Sequence, residues 1–287
     1  MTEQTKNDSL ATAKEETVDV VAAKVREFAS RGELHFPPAY SAQNSLKSAW
    51  LILQEAVDKD KKPVLSVCTR ASIANALLNM VIQGLNPAKK QGYFIAYGNV
   101  LTFQRSYFGT MAVAMRADES IEDIVAQVVY AGDTFEYAIE RGKKHVVNHV
   151  QALENVDKAE IKAAYCSVIY KDGRETTVIM TMDEIKQAWR QSKMKPVNED
   201  GSLKPDSTHA KFTEQMAVKT LINRTCKPIV NASDDADLLI QAFDASEQDV
   251  VEAQVEEAIF EEANAGEVIE LPVLDSPEIV EGEGPGF

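Results

Sequence analysis

The run Gln91–Gly109, QGYFIAYGNVLTFQRSYFG, constrains the fold more tightly than any other stretch of the chain. Gly98-Asn99 stands between two segments of alternating character, and a two-residue turn of this chemistry closes an antiparallel hairpin. Closing the chain there sets the register. Tyr97 falls opposite Val100, Ile95 opposite Thr102 and Tyr93 opposite Gln104 on one face, with Ala96 opposite Leu101 and Phe94 opposite Phe103 on the other. The second face reads as core. The first mixes two tyrosines with hydroxyl and amide groups, so it can meet solvent or a ligand. With Tyr107 and Phe108 the stretch holds six of the chain's 18 Phe and Tyr residues, beside Lys89, Lys90, Arg105 and Arg116.

Asp172-Gly173, between Ile161–Tyr170 and Glu175–Met180, signals a second hairpin, and Ile121–Tyr130, Thr134–Ile139 and Val146–Val150 read as further strands. Ala131-Gly132-Asp133 reads as a tight turn. Helices interleave with these strands. One carries Leu46, Trp50, Leu51 and Leu53; the next starts at an N-capping Thr69 and stops at Gly84 and Pro87. Phe108–Met115 reads as a helix packed on the first hairpin, and Thr181-Met182-Asp183-Glu184 has capping-box spacing for a helix through Trp189. A last long helix is expected to end before Pro228, with Lys211, Gln215, Lys219, Asn223 and Lys227 as a polar stripe and Arg224 beside it. The class is α+β: a small antiparallel sheet with β-hairpins packed against helices. Residues 1–35 form a polar lead-in with at most a short amphipathic helix, residues 36–232 the core, and residues 233–287 an acidic tail, partly helical (Leu238 to Phe260) and then disordered.

The formal net charge of -15 conceals an asymmetry. After Lys227 there is no Lys or Arg, while Asp234 through Glu283 contribute 17 acidic residues. Residues 1–227 carry 30 basic and 28 acidic side chains, and Lys186 through Lys227 hold nine basic against four acidic. A near-neutral body with a basic segment is thus followed by an acidic tail, so the overall charge says little about what the body binds. Three scattered cysteines without CxxC spacing, no export signal and no apolar run of about 20 residues predict a soluble cytoplasmic protein.

No P-loop and no G-x-G-x-x-G occurs. His145 and His149 are read along one strand face, too far apart for one metal, and Asp234-Asp235-Ala236-Asp237 reads as a helix start rather than a metal cluster. Nothing points to catalysis or to a cofactor. Tyrosine rings, however, stack on unpaired bases for about 1–3 kcal/mol per base, and Lys and Arg neutralise phosphates. Polar-aromatic surface beside basic groups makes nucleic-acid binding the leading reading.

The blocks Gly84-Leu85-Asn86-Pro87, Tyr93, Tyr97-Gly98-Asn99, Gln104, Tyr107-Phe108-Gly109 and Met111 resemble the core of phage RecT proteins. Gln191-Ser192-Lys193, Phe212, Met216 and Lys219-Thr220 match a second block, and the resemblance spans residues 40–230. Phe108 stands where that family more often has Arg. The resemblance implies an ATP-independent single-strand annealing protein of phage recombination (the RecT/Red beta type). Such a protein binds single-stranded DNA, pairs it with a complementary strand and assembles into helical homo-oligomers. It works beside a 5′→3′ exonuclease and possible host single-strand binding protein, inside the bacterial cell, with no membrane. The expected basic groove takes Lys89, Lys90, Tyr93, Tyr97, Asn99, Gln104, Arg105, Tyr107 and Arg116 from the hairpin side. From the later segment it takes Arg190, Lys193, Lys195, Lys211, Lys219 and Arg224. A general single-strand coating protein, or more distantly a metal-dependent nuclease subunit, is the alternative.

Overall fold

Helix formation in the first third follows from caps and apolar spacing. The computed structural model describes residues 3–34, 36, 40–157, 160–192, 195–233 and 237–246; the side chains of 3–16, 237 and 238 lie outside that description. Glu3–Ser30 (α1) is a continuous 28-residue helix, where the sequence promised only a short one. Its packing explains the difference: Val21 and Val25 are buried in the same core as Leu46, Trp50 and Leu77, so tertiary burial extends a segment of weak periodicity. Ala42–Glu55 (α2) starts where the Ser41 side chain accepts from the Asn44 amide. Leu46, Ala49, Trp50 and Leu53 turn inward at helical spacing, which leaves Leu51 exposed. A single turn, Val64–Val67 (α3), precedes Arg70–Ile82 (α4), capped by Thr69 as expected. Gly84, at φ 66°, closes α4: its amide bonds the Val81 carbonyl and the Leu85 amide bonds that of Met80. This is the left-handed termination that favours glycine.

Gly92–Tyr97 (β1) and Val100–Arg105 (β2) form a separate two-stranded sheet with the five expected pairs and, in the same register, Gly92 opposite Arg105. Tyr107–Ala117 (α5) follows, capped by Ser106. The second sheet has five antiparallel strands: Ile121–Tyr130 (β3), Thr134–Glu140 (β4), Lys143–Val150 (β5), Ile161–Tyr170 (β6) and Glu175–Thr181 (β7), in the order β3-β6-β7-β5-β4. β3 and β4 are joined by only three residues, Ala131–Asp133, yet occupy opposite edges. The sheet must therefore coil until those edges approach each other. Its inner side stacks Phe135 on Tyr165, with centroids 5.6 Å apart, and sets both against His149.

Met182–Arg190 (α6) carries the full Thr181–Glu184 capping box. Thr208–Lys211 (α7) leads into Thr213–Asn231 (α8), the central helix, which packs on α5, on α6 and on β3, β6 and β7. Contrary to the sequence reading, α8 runs through Pro228. Proline removes one donor and sits only four residues from the helix end, where Ala232 bonds back to the Pro228 carbonyl. Asp237–Ala245 (α9) is the last described element; the remainder of the expected acidic helix and the tail beyond Ser246 lie outside the described residues. No helix among the described residues is long and apolar enough to cross a membrane.

Candidate nucleic-acid interface

The hairpin is held from its core side. The Thr69 amide donates to the Asn99 carbonyl (2.9 Å) and the Leu101 amide to Ser72 Oγ (3.0 Å), so the start of α4 grips the turn and β2. Leu101 and Phe103 are buried beneath. Close approach dictates two glycines here. A Cβ on Gly92 would lie 2.3 Å from the Phe103 ring, and one on Gly109 would lie 2.0 Å from the Gln91 carbonyl. The second contact brings the first turn of α5 down onto the chain entering β1. Ser106 Oγ donates to the Lys90 carbonyl (2.7 Å) and Gln91 Oε1 accepts from the Asn86 amide (2.9 Å).

The expected hairpin residues differ in exposure. Lys89, Lys90 and Asn99 are exposed; Tyr93, Tyr97, Thr102 and Tyr107 are half-buried. Lys90 holds a left-handed φ of 55°, a conformation costing a non-glycine residue about 1–3 kcal/mol. Neither Lys89 nor Lys90 has a carboxylate partner among the described residues. Tyr107 and Phe108 rings lie 4.1 Å apart, with Phe108 exposed at the start of α5. Gln104 differs from expectation: it is buried, and its Nε2 donates to Tyr97 Oη at 2.7 Å. It therefore orients a tyrosine across the hairpin diagonal instead of reaching outward.

The two arginines of this region are engaged within the fold. Arg116 Nη1 donates to the Ile82 carbonyl (3.1 Å), placing a cation at the C-terminus of α4 where the helix dipole favours it. Arg105 is only 5 % exposed, because β2 delivers it into the junction of α4, α5 and α9. Gln83, Thr110, Phe243 and Ser246, which surround it, were invisible to sequence reading. They lie up to 141 residues away, and no local periodicity encodes such a meeting.

The later basic residues separate into two kinds. Arg190, Lys195, Lys211 and Arg224 are exposed, and Lys193 lies outside the described residues. Lys219, expected on an open stripe, is 4 % exposed. A repeat of four residues drifts around a helix with 3.6 per turn, so the stripe leaves the solvent face and passes into the central packing of α8. Burial there, together with the nearby Lys219 charge, lowers the His209 pKa to about 4. Arg190, Lys195 and Lys211 belong to the α6–α8 end of the molecule, and the packing of α5 on α8 is what connects that end to the hairpin.

The histidine reading also changes. β5 carries a bulge at Val147, so His149 pairs with Phe135 while His145 pairs with Ala138, and the two rings point to opposite faces. No group of three or more potential metal ligands occurs among the described residues.

A search of the curated proteins returns no match. The model of the RecT family matches residues 43–261, a span that takes in the hairpin, the coiled sheet and α8. This cover of most of the chain, with the hairpin register and the Tyr107–Gly109 helix start already in place, shows that the chain belongs to the RecT family.

Proposed function

We propose that this chain is an ATP-independent annealing protein that binds single-stranded DNA, leaves its base edges open and pairs it with a complementary strand. The observation that carries the reading is the hairpin: exposed Lys89 and Lys90 lead into β1, where Ser106, just before Tyr107, holds the Lys90 carbonyl, and half-buried Tyr93 and Tyr97 follow along the strand. Cations neutralise the backbone and release counterions, while tyrosine faces accept bases without regard to sequence. Arg190, Lys195, Lys211 and Arg224, all exposed, extend the cationic surface along the other end. Together these form the groove in which the strand lies, and copies of the chain repeat it along DNA in a helical assembly. Annealing is downhill in free energy, which agrees with a chain lacking the P-loop motif. Membership of a recombination family supports a non-catalytic role beside a 5′→3′ exonuclease, with a host single-strand binding protein as a second partner, in the bacterial cytoplasm.

The deciding experiment compares complementary oligonucleotides added one after the other with the same duplex formed beforehand, without nucleotide. Preformed duplex must be deformed to enter a groove built for one strand, at a cost of several kcal/mol for about 20–30 base pairs. Sequential addition is expected to give the more stable complex, read by gel shift or light scattering at matched salt. Equal complexes from both routes would identify a coating protein instead.

A further inference from the structure

The segment after α8 returns to the hairpin. α9 buries Leu239, Ala242 and Phe243, and Ser246 beyond it is also buried. Arg105 is the point of attachment. Its Nη1 donates to the Phe243 carbonyl (2.9 Å), to Ser246 Oγ (2.7 Å) and to Gln83 Oε1 (2.8 Å), and its Nε donates to Thr110 Oγ1 (3.0 Å). The Arg105 amide donates to the Ser246 carbonyl (3.3 Å), and the Phe243 ring centroid lies 3.5 Å from the guanidinium carbon. Asp244 Oδ1 stands 3.5 Å from Lys227 Nζ on α8. One short segment thus covers a cation of β2 and engages another of the central helix.

Phe243 and Ser246 offer Arg105 a neutral carbonyl and a neutral hydroxyl. A phosphodiester oxygen is the same kind of acceptor with a full charge, and charge-assisted hydrogen bonds are roughly twice as strong as neutral ones. Arg105 projects from the core-facing side of β2 and adjoins the start of α5: Ser106, next in sequence, holds the Lys90 carbonyl, and Thr110 lies one turn into the helix that Tyr107 begins. Thirteen acidic residues and no basic residue follow Ser246, so the anchor tethers a polyanion at the edge of this surface. Tethering by a short linker gives effective concentrations in the mM range, on the order needed to compete with DNA.

We infer that Asp237–Ser246 is a latch that competes with single-stranded DNA for Arg105: seated, it covers the guanidinium; displaced, it opens a phosphate site continuous with Lys90 and Tyr107. The inference rests on the proposed function and names the occupant of that surface in the free chain.

Hydrogen exchange on the full chain, with and without a saturating oligo-dT strand, tests it. Amides of residues 239–246 and of Arg105 are expected to exchange at least tenfold faster with the strand bound; unchanged or slower exchange overturns the latch. Full-length Leu239→Ala/Phe243→Ala provides the second reading. It should bind oligo-dT about tenfold more tightly, with a salt dependence steeper by about 0.7 for one further phosphate. Wild-type affinity and slope in a folded variant overturn the latch. If that variant does not fold, the wild-type exchange experiment decides alone. Absence of binding by both chains would overturn the proposed function and the latch together, whereas binding with residues 239–246 undisturbed overturns the latch alone.

Discussion

Two hairpins of similar composition have opposite surroundings. β1–β2 pairs without a register shift and rests on α4, with Leu101 and Phe103 buried beneath it. β4–β5 carries a bulge and joins the rest of its sheet through the pairing of Lys144 with Thr177, supported by Lys144 Nζ on the Ile179 carbonyl (3.2 Å). Its tip leaves Tyr137, Ile139 and Val147 exposed. Both hairpins have tyrosine on a strand and lysine beside one, yet only the first rests on buried apolar side chains of its own. Turn chemistry and alternation therefore specify that a hairpin forms; what covers it decides whether its polar face is rigid enough to be a site.

The strongest way to break this contrast is to remove the foundation. Phe103→Ala should lower stability by about 3–5 kcal/mol, the usual loss for a buried aromatic truncated to alanine. Ile139→Ala, at an exposed arm position, should stay within about 0.5 kcal/mol. Urea denaturation of both variants checks the pair. A loss below about 1 kcal/mol for Phe103→Ala would show that the first hairpin does not depend on its core face.

Much of the fold was legible because its signals are local. Gly98-Asn99 gave the β1–β2 register, Thr69 and Gly84 gave both ends of α4, and Thr181–Glu184 gave the start of α6. Long-range packing was not legible. The burial of Val21 and Val25 that lengthens α1, the coiling that brings β4 back towards β3, and the burial of Arg105 and Lys219 all depend on partners far away in sequence. A lysine stripe read at a spacing of four looks solvated until a central helix is packed on several sides. The pairing of the first hairpin was legible; which of its neighbouring arginines are committed to the fold was not.

The arm has its own foundation, polar instead of apolar, at Asp133. That buried carboxylate accepts from the Tyr130 amide (2.9 Å), Gln151 Nε2 (2.9 Å), Asn155 Nδ2 (3.2 Å) and His149 Nε2 (3.2 Å), while His149 Nδ1 meets Tyr165 Oη at 3.1 Å. Burial alone would raise the Asp133 pKa, but these hydrogen bonds outweigh it and hold the carboxyl below the ordinary aspartate value. A depressed pKa in the folded state means stabilisation that is present above the unfolded value of about 3.9 and is lost as pH falls through the folded value. Asp133→Asn should cost about 1–3 kcal/mol at neutral pH and flatten the acid limb of the stability profile below about pH 4. The loosening should be local, with hydrogen exchange accelerated in β4 and β5 and little changed in β1 and β2. Equal acceleration in both hairpins would deny the arm its separate foundation.

The smallest expected effect tests the functional side of the contrast. Lys90 and Lys143 are both exposed lysines at the start of a hairpin strand, Lys90 just before β1 and Lys143 as the first residue of β5. Ser106 at the start of α5 holds the Lys90 carbonyl, so the Lys90 backbone has a fixed place next to the helix that Tyr107 begins. Lys143 sits on the arm next to the Arg141-Gly142 turn, opposite Glu140 in the backbone register. Counterion release scales with the number of phosphates neutralised, so losing one contact should lower the slope of log K against log salt by about 0.7 for a single strand. Lys90→Ala is expected to show that decrease and to weaken binding alike for unrelated sequences, because a phosphate contact carries no base information. Lys143→Ala should leave slope and affinity at wild-type values. If Lys143→Ala flattens the slope and Lys90→Ala does not, the strand runs over the arm, and rigidity of the supporting core is not what selects the DNA-binding hairpin.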